Sequence, residues 1–299
     1  MSILVAGNAV LDVQLAVDDD QGFEDGFSGR NVGFLSQPPN VVLGGNGAAT
    51  AYALGRMGIP VTLNTTLGED PAGDLIRSWL TQAEVSLAAP SSSSSAVHVL
   101  RIRASDGARS TSFFTGKTID WSVGTDGLQS GWFFAAGYGG VAAEDFDALI
   151  PVLERVRANR NAVVFDPGPW FAASVSVNAF REALKFVNCL TGTEEELETW
   201  SSKQGADELI DDYLGLGPDQ VIVKQGSRGA SFATRAGERG HVAAQPVEAA
   251  HAVGAGDTFN GALLAGLYEG RGFEACVGMG VTRATTAVAS GRGVLGAFD

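Results

Sequence analysis

The stretch AVVFDPGPWFAASVSVNAFREALKFVNCL, residues 162–190, carries the pattern that decides the fold class. Ala162–Asp166 is a short apolar run closed by an acid, and Pro167, Gly168 and Pro169 follow at once. A run of that length bounded by turn residues reads as a buried strand. Residues 177–184 then read as a helix, and Phe186–Leu190 as the next strand. Strand, helix and strand in such succession predict parallel neighbours joined by crossover helices.

Working outward, the alternation continues. Strands are expected at Gly131–Ala135 and Gln220–Lys224, and helices over 144–158, 194–201 and 206–214. Toward the N-terminus, Ile3–Ala6 reads as a buried strand and Val10–Val17 as an extended run holding Asp12. Residues 18–40 are polar and glycine-rich, a loop or flap. An Ala-rich helix follows Leu43 to Gly47 and stops at Gly58 and Pro60. Val61–Leu67 is the next expected strand, and Leu75, Ile76, Trp79 and Leu80 mark a helix over 70–83. Ser91–Ser95 reads as a flexible connector. Val97–Arg103 and Arg109–Phe114 flank Asp106-Gly107, a hairpin signal. Ala230–Thr234 with His241–Ala244 gives a second pair, and helices close the chain over 258–268 and 274–289. The pattern predicts one α/β domain over 1–299, a mostly parallel sheet covered by helices on both faces. Extended pieces near 10–40 and 95–115 are expected to pair as a discontinuous β lid.

Composition narrows the functional classes. The chain has 299 residues, 45% apolar and 18% charged, enough for a sizeable core. Twenty basic and 34 acidic residues leave a formal charge of −14, which argues against nucleic acid or an anionic membrane as the main partner. Cys189 and Cys276 lie far apart and read as reduced core residues. Three histidines are too few for a multi-His metal site. The N-terminal residues lack a basic segment followed by a long apolar run, and no stretch is long enough to span a bilayer; the cytoplasm is the expected compartment.

The strongest chemical signal is Gly254-Ala255-Gly256-Asp257-Thr258-Phe259-Asn260-Gly261. Small residues with free amides lead into a helix, the arrangement of an anion site. Asp257 reads either as a helix cap or as a base that takes a proton from an attacking hydroxyl while the amides stabilise a phosphoryl group. Gly44-Gly45-Asn46-Gly47 permits close backbone approach to a ligand, or is simply a turn before a helix. Lys224-Gln225-Gly226-Ser227-Arg228-Gly229 follows a strand and could wrap a nucleotide. A Gly-x-x-x-x-Gly-Lys-Ser/Thr segment is absent from the sequence, which disfavours a P-loop ATPase.

Taken in order, these segments resemble the ribokinase-like (PfkB) carbohydrate kinase family along essentially the whole chain. Gly7-Asn8-Ala9-Val10-Leu11-Asp12 comes first, then Gly44 to Gly47, then Gly68-Glu69-Asp70-Pro71-Ala72-Gly73. Asp166-Pro167-Gly168-Pro169, Glu194-Glu195-Glu196, Lys224 to Gly229 and Gly254 to Gly261 complete the set. The resemblance implies a three-layer α/β/α domain with a small β lid that often mediates dimerisation, and ATP with Mg²⁺. It implies that Asp257 is the base and that the amides of Gly254, Ala255 and Gly256 form the anion hole. Asp12, Gly44, Gly45 and Asn46 fall where the family grips substrate hydroxyls. Lys224, Gly226, Gly229 and Asn260 fall in the nucleotide set, and Glu196 matches the acid that orders the metal's water shell.

Several positions depart from the family's pattern. His251-Ala252 stand where relatives carry Asp-Thr beside a monovalent-cation site, so potassium activation is expected to be weak or absent. Ala49 and Thr193 replace asparagines, and Trp170 replaces a basic residue. Trp170, with Trp132, Phe133, Phe134 and Tyr138, reads as core or pocket wall. The expected activity is ATP-dependent phosphorylation of a sugar or sugar-like hydroxyl. A nucleoside kinase of the same fold and a non-catalytic metabolite-binding relative are the alternatives.

Overall fold

The computed structural model describes residues 2–17, 35, 37–88, 94–103, 105–106, 108–137, 143–169, 174–247 and 253–299. Its elements run β1 (Ile3–Ala6), β2 (Val10–Val17), β3 (Asn40–Gly44), α1 (Asn46–Arg56), β4 (Val61–Asn64), α2 (Pro71–Gln82) and β5 (Ser86–Leu87). They continue β6 (Ala96–Arg103), β7 (Arg109–Phe114), β8 (Trp132–Ala136), α3 (Ala143–Ala158), β9 (Ala162–Asp166), α4 (Val177–Leu184), β10 (Cys189–Thr193) and α5 (Glu194–Glu198). The chain ends α6 (Ala206–Leu214), β11 (Gln220–Lys224), β12 (Ala230–Thr234), β13 (Arg239–Val242), α7 (Ala255–Tyr268), α8 (Phe273–Ser290) and α9 (Gly293–Gly296).

A nine-stranded sheet has the order β13-β12-β11-β10-β9-β8-β1-β4-β5. From β11 to β5 the neighbours are parallel; β12 and β13 are antiparallel additions at one edge. Alternation along the strands splits the core into two layers. Ile3, Val5, Phe134, Val164 and Ile222 face α1, α2, α7 and α8. Leu4, Ala6, Phe133, Phe165 and Val221 face α3, α4 and α6. Phe133 and Phe134 are therefore core on opposite faces, and Trp132 is half-buried. Tyr138 and Trp170 lie outside the described residues. Cys189 and Cys276 are free and buried.

A second, four-stranded sheet has the order β3-β2-β6-β7. The β6–β7 hairpin forms as the sequence predicts, and β2 joins it in parallel, Asp12 opposite His98. β3 lies within residues read as loop and turn. Its strand state is imposed by antiparallel pairing with β2, Val10 with Gly44 through Gln14 with Asn40. β10 begins three residues later than expected, because the amides of Lys185, Phe186 and Val187 still bond back to Glu182, Ala183 and Leu184 at the end of α4. β5 and α9 were not expected.

The Ser-rich connector is anchored at its described end. Ser95 is 2% exposed; its amide donates to Asp70 Oδ2 at 2.8 Å, and its Oγ accepts from the Gly68 amide at 2.9 Å. Asp70 also caps α2, accepting from the Gly73 amide at 2.8 Å. The Gly68–Gly73 motif thus ties α2 to the start of β6. Among the described residues, no helix is long and apolar enough to cross a membrane.

Candidate functional site

The chemistry-bearing segments sit at the carboxyl ends of the parallel strands, where open α/β sheets place ligands. β1 leads into Gly7 and Asn8. The Asn8 carbonyl accepts from the Ala48 amide, and its Oδ1 from the Asn46 amide, both at 3.0 Å. A Cβ on Gly47 would stand 2.6 Å from the Gly7 carbonyl carbon, so both glycines are needed for this approach. Gly45 turns the chain into α1 with φ of 84°, a left-handed value that suits glycine. The Asn46 amide group donates to the Gly137 carbonyl beyond β8.

α7 approaches from the other side. Gly254 is left-handed at its N-cap, φ 77°, and Thr258 closes the first turn by donating to the Gly254 carbonyl through both its amide and Oγ1. Ala255, Gly256 and Asp257 fill that first turn, where amides without helical partners and the dipole present positive charge. Gly261 lets α7 press on α1: an added Cβ would lie 2.5 Å from Ala53 Cβ.

Between these elements lies a cleft of about 170 Å³ lined by Asp12, Gly44, Gly45, Asn46, Gly254 and Asp257, with Asn8, Val10, His98, Phe113 and Val253. Residues more than two hundred positions apart thus share one cavity, with the expected hydroxyl-gripping set on one wall and Asp257 on the other.

Behind Asp257 lies a buried polar cluster. Lys224 Nζ donates to Asp166 Oδ2 at 2.7 Å, with the two side chains 11% and 5% exposed. Asn260 Nδ2 donates to the same oxygen at 2.5 Å, and the Gly168 amide to Oδ1 at 3.0 Å. A Cβ on Gly256 would be 3.5 Å from Lys224 Nζ, which places the ammonium against the first turn of α7. Burial, and next the Asp166 carboxylate, push Asp257 up to about 7; Lys224 pulls it down, and Asp12 and Glu196 add to the rise. Burial works against the charge on Lys224, but Asp166, Glu196 and Asp257 together hold its pKa above the ordinary lysine value. Glu196 is raised chiefly by burial and then by Asp166.

Each expected residue can now be placed. Asn260 is 1% exposed and serves Asp166 from the layer behind the cleft; its Oδ1 has no hydrogen-bond partner among the described residues. Lys224 is committed to Asp166. Gly226 opens a short 3-10 turn, and Gly229 passes so close to β13 that a Cβ would lie 2.0 Å from the Val242 carbonyl oxygen. An open groove of about 840 Å³ follows that turn, lined by Gln225, Ser227, Arg228, Arg239 and His241 among others. Glu196 closes a capping box on α5: its Oε2 accepts from the Thr193 amide at 2.7 Å, and Thr193 Oγ1 accepts from the Glu196 amide. Thr193 is therefore a helix cap. Ala49 is fully buried in α1. His251 and Ala252 lie outside the described residues.

His98, Phe113 and the cluster role of Asp166 escaped the sequence reading. His98 reaches the cleft through strand pairing, which its neighbours in sequence do not reveal. The acid ending a buried run at Asp166 was a local signal for a buried charge awaiting a partner.

The family model for pfkB family carbohydrate kinases matches residues 3–294. A fructokinase of Klebsiella pneumoniae is 28% identical over 241 residues, covering 75% of this chain and 76% of that protein. A 5-dehydro-2-deoxygluconokinase of Bacillus subtilis (strain 168) is 22% identical over 148 residues, 48% of this chain and 46% of the relative. Among solved structures, a Thermotoga maritima ribokinase superposes with a TM-score of 0.78 at 23% identity, covering 97% of this chain and 93% of that one. An Arabidopsis thaliana ribokinase complexed with ribose and ATP gives 0.79 at 20% identity, covering 99% and 95%. These two structures share the fold, and the match over almost the whole length places this chain in the pfkB family of carbohydrate kinases.

Proposed function

We propose that this chain phosphorylates a sugar hydroxyl with ATP, and that Asp257 takes the hydroxyl proton. One observation carries the reading: Asp257 stands at the positively polarised first turn of α7 and shares a cleft with Asp12 and Asn46. A carboxylate accepts from sugar hydroxyls, and an amide both donates and accepts, so Asp12 and Asn46 can orient a polyol. The amides of Gly254, Ala255 and Gly256 face charge developing on the transferred phosphoryl. With a pKa of about 7, Asp257 is poised between its protonated and ionised forms near neutral pH.

The nucleotide is assigned to the groove beside the Gly226–Gly229 turn, on the Gln225–Arg228 side. Mg²⁺ binds through oxygen ligands and keeps several waters, so a site needs few protein ligands. Acidic Glu196 and Asp166, with the Asn260 Oδ1 that has no partner among the described residues, fit such water-mediated holding. When bound, the ion would neutralise phosphate charge. Activation by potassium is expected to be weak or absent, because His251-Ala252 supply poor ligands; exchanging potassium for sodium in the assay tests it.

The small sheet serves as a lid, since Asp12, His98 and Phe113 close one side of the cleft. Its other face carries Leu11, Val13, Val41, Val97, Val99 and Phe114, brought to one side by strand register. That face seats a second copy of the chain. A cytoplasmic location accords with the reduced cysteines and with ATP as donor.

ADP release measured with D-fructose, D-ribose, 5-dehydro-2-deoxy-D-gluconate and adenosine tests the reading. A sugar should turn over, and Asp257→Asn should lower kcat by about 10²–10⁴-fold, the usual weight of a general base. Adenosine as the preferred substrate would favour a nucleoside kinase. Binding without turnover would favour the non-catalytic reading, and full turnover by the variant would remove Asp257 as base.

A further inference from the structure

We infer that His98 is the positioning residue for Asp12, fixing the carboxylate that recognises the sugar; this deepens the kinase reading and rests on it. The assignment starts from strand register. Asp12 on β2 lies opposite His98 on β6, which lies opposite Phe113 on β7. Side chains directly opposite in neighbouring strands share a face, so the three form one row across the small sheet. All three line the cleft.

Asp12 is 8% exposed, and a buried carboxylate requires a hydrogen-bond donor. Among the described residues, the side-chain partner of that carboxylate is His98, whose Nδ1 lies 3.1 Å from Oδ1. A carboxylate oxygen accepts from an N–H, so the bond places a proton on Nδ1. The ring is held in turn by Phe113, edge-on with centroids 5.6 Å apart at 74°. On the far side, Asp12 Oδ2 lies against Gly44, where an added Cβ would come within 2.2 Å of it.

The two oxygens therefore have different duties. Oδ1 is tied to the imidazole, and Oδ2 lies over the Gly44 backbone that also lines the cleft. With one oxygen held by the imidazole and the other over Gly44, the second is left to accept from a substrate hydroxyl. Without His98 the side chain is free to rotate, and the cost falls on sugar binding. His98 lines the cleft but not the groove beside the Gly226–Gly229 turn, and its bond is to the Asp12 carboxylate, so the chemical step at Asp257 and ATP binding should be spared.

The test compares His98→Leu, which removes the donor, with His98→Asn, whose side-chain amide can put an N–H close to the position of Nδ1. Initial rates are measured with ATP–Mg²⁺ against D-fructose, D-ribose and 5-dehydro-2-deoxy-D-gluconate. The Leu variant should raise KM for the accepted sugar by about tenfold or more, since bonds to charged acceptors are among the stronger ones. Its kcat and its KM for ATP should stay within about threefold, and the Asn variant should recover most of the sugar KM. KM does not depend on the fraction of folded enzyme, so partial misfolding would not mimic the result. An unchanged sugar KM in the Leu variant, a fall confined to kcat, or an Asn variant no better than Leu would each overturn the assignment while leaving the kinase reading in place. A wild-type chain inert towards all three sugars would overturn both.

Discussion

Lys224 Nζ and Asp166 Oδ2, on strands separated by β10, meet at 2.7 Å directly behind the first turn of α7. The pair neutralises two buried charges and places a cation and an anion within electrostatic reach of Asp257. Asp166 pushes the Asp257 pKa up and Lys224 pulls it down. The activity profile follows from this balance. A base works when ionised, so kcat/KM for the sugar should rise as pH climbs through about 7 and level off above it. Lys224→Met removes the cation, and its acid limb should move to higher pH. A limb that stays in place or moves lower would contradict the electrostatic account.

The same carboxyl group links stability to pH. Its folded pKa of about 7 lies above the ordinary value of 3.8. Between those values the folded state holds a proton that the unfolded chain releases, so stability is lost as pH rises towards and through 7. Asp257→Asn keeps the shape and never ionises. The variant should melt higher than the wild type at pH 8 and close to it at pH 3 to 4, while losing turnover. Thermal melts across that range decide it; equal melting points at pH 8 would refute the claim that burial of the charge is costly.

Much of this was legible in sequence where the signal is local. Ala162–Asp166 and Gln220–Lys224 fall on the observed strands because apolar runs fitted to a parallel sheet carry their own evidence. Gly254 to Asp257 was readable because a helix start with bare amides is a local construction. β3 was not, since its extended state comes from pairing with β2 and its own residues end in turn-like glycines. His98 belongs to the cleft only because β6 docks in parallel beside β2, a choice made by the tertiary fold. Asn260 was legible as part of the motif, but the bond from its Nδ2 to Asp166 was not, because a partner so far away in the chain leaves no local trace.

Asp70 offers a stability test away from the cleft. Its carboxylate accepts from the Ser95 and Gly73 amides, and these bonds, that to Ser95 foremost, hold its pKa below the ordinary value. Asp70→Ala should destabilise the fold by about 0.5–2 kcal/mol, the range for a lost cap. In the wild type, this contribution is complete above pH 3.8 and fades as pH falls through the lowered folded value. Chemical denaturation at pH 7 and at pH 2 should therefore show a gap between wild type and variant that closes in acid. A gap of the same size at both pH values would mean the carboxylate charge is not what matters.

Phe114 tests the proposed pairing of two chains. It follows Phe113 on β7, and alternation sends Phe113 to the cleft and Phe114 to the opposite face. There it stands across from Val97, itself opposite Leu11, and it is 57% exposed. Val41 on the same face is 36% exposed. Leu43, on the same face opposite Leu11, is buried, so the part of this apolar face open to water lies around Phe114 and Val41. Burial of that part against another surface is favourable, and a second copy supplies a matching one. Phe114→Glu would bring two carboxylates into such an interface without touching the cleft row. The wild type should sediment as a dimer at about ten micromolar and the variant as a monomer, with the sheet's circular dichroism unchanged. A monomeric wild type, or a variant that stays dimeric, would show that this face does not join the two chains.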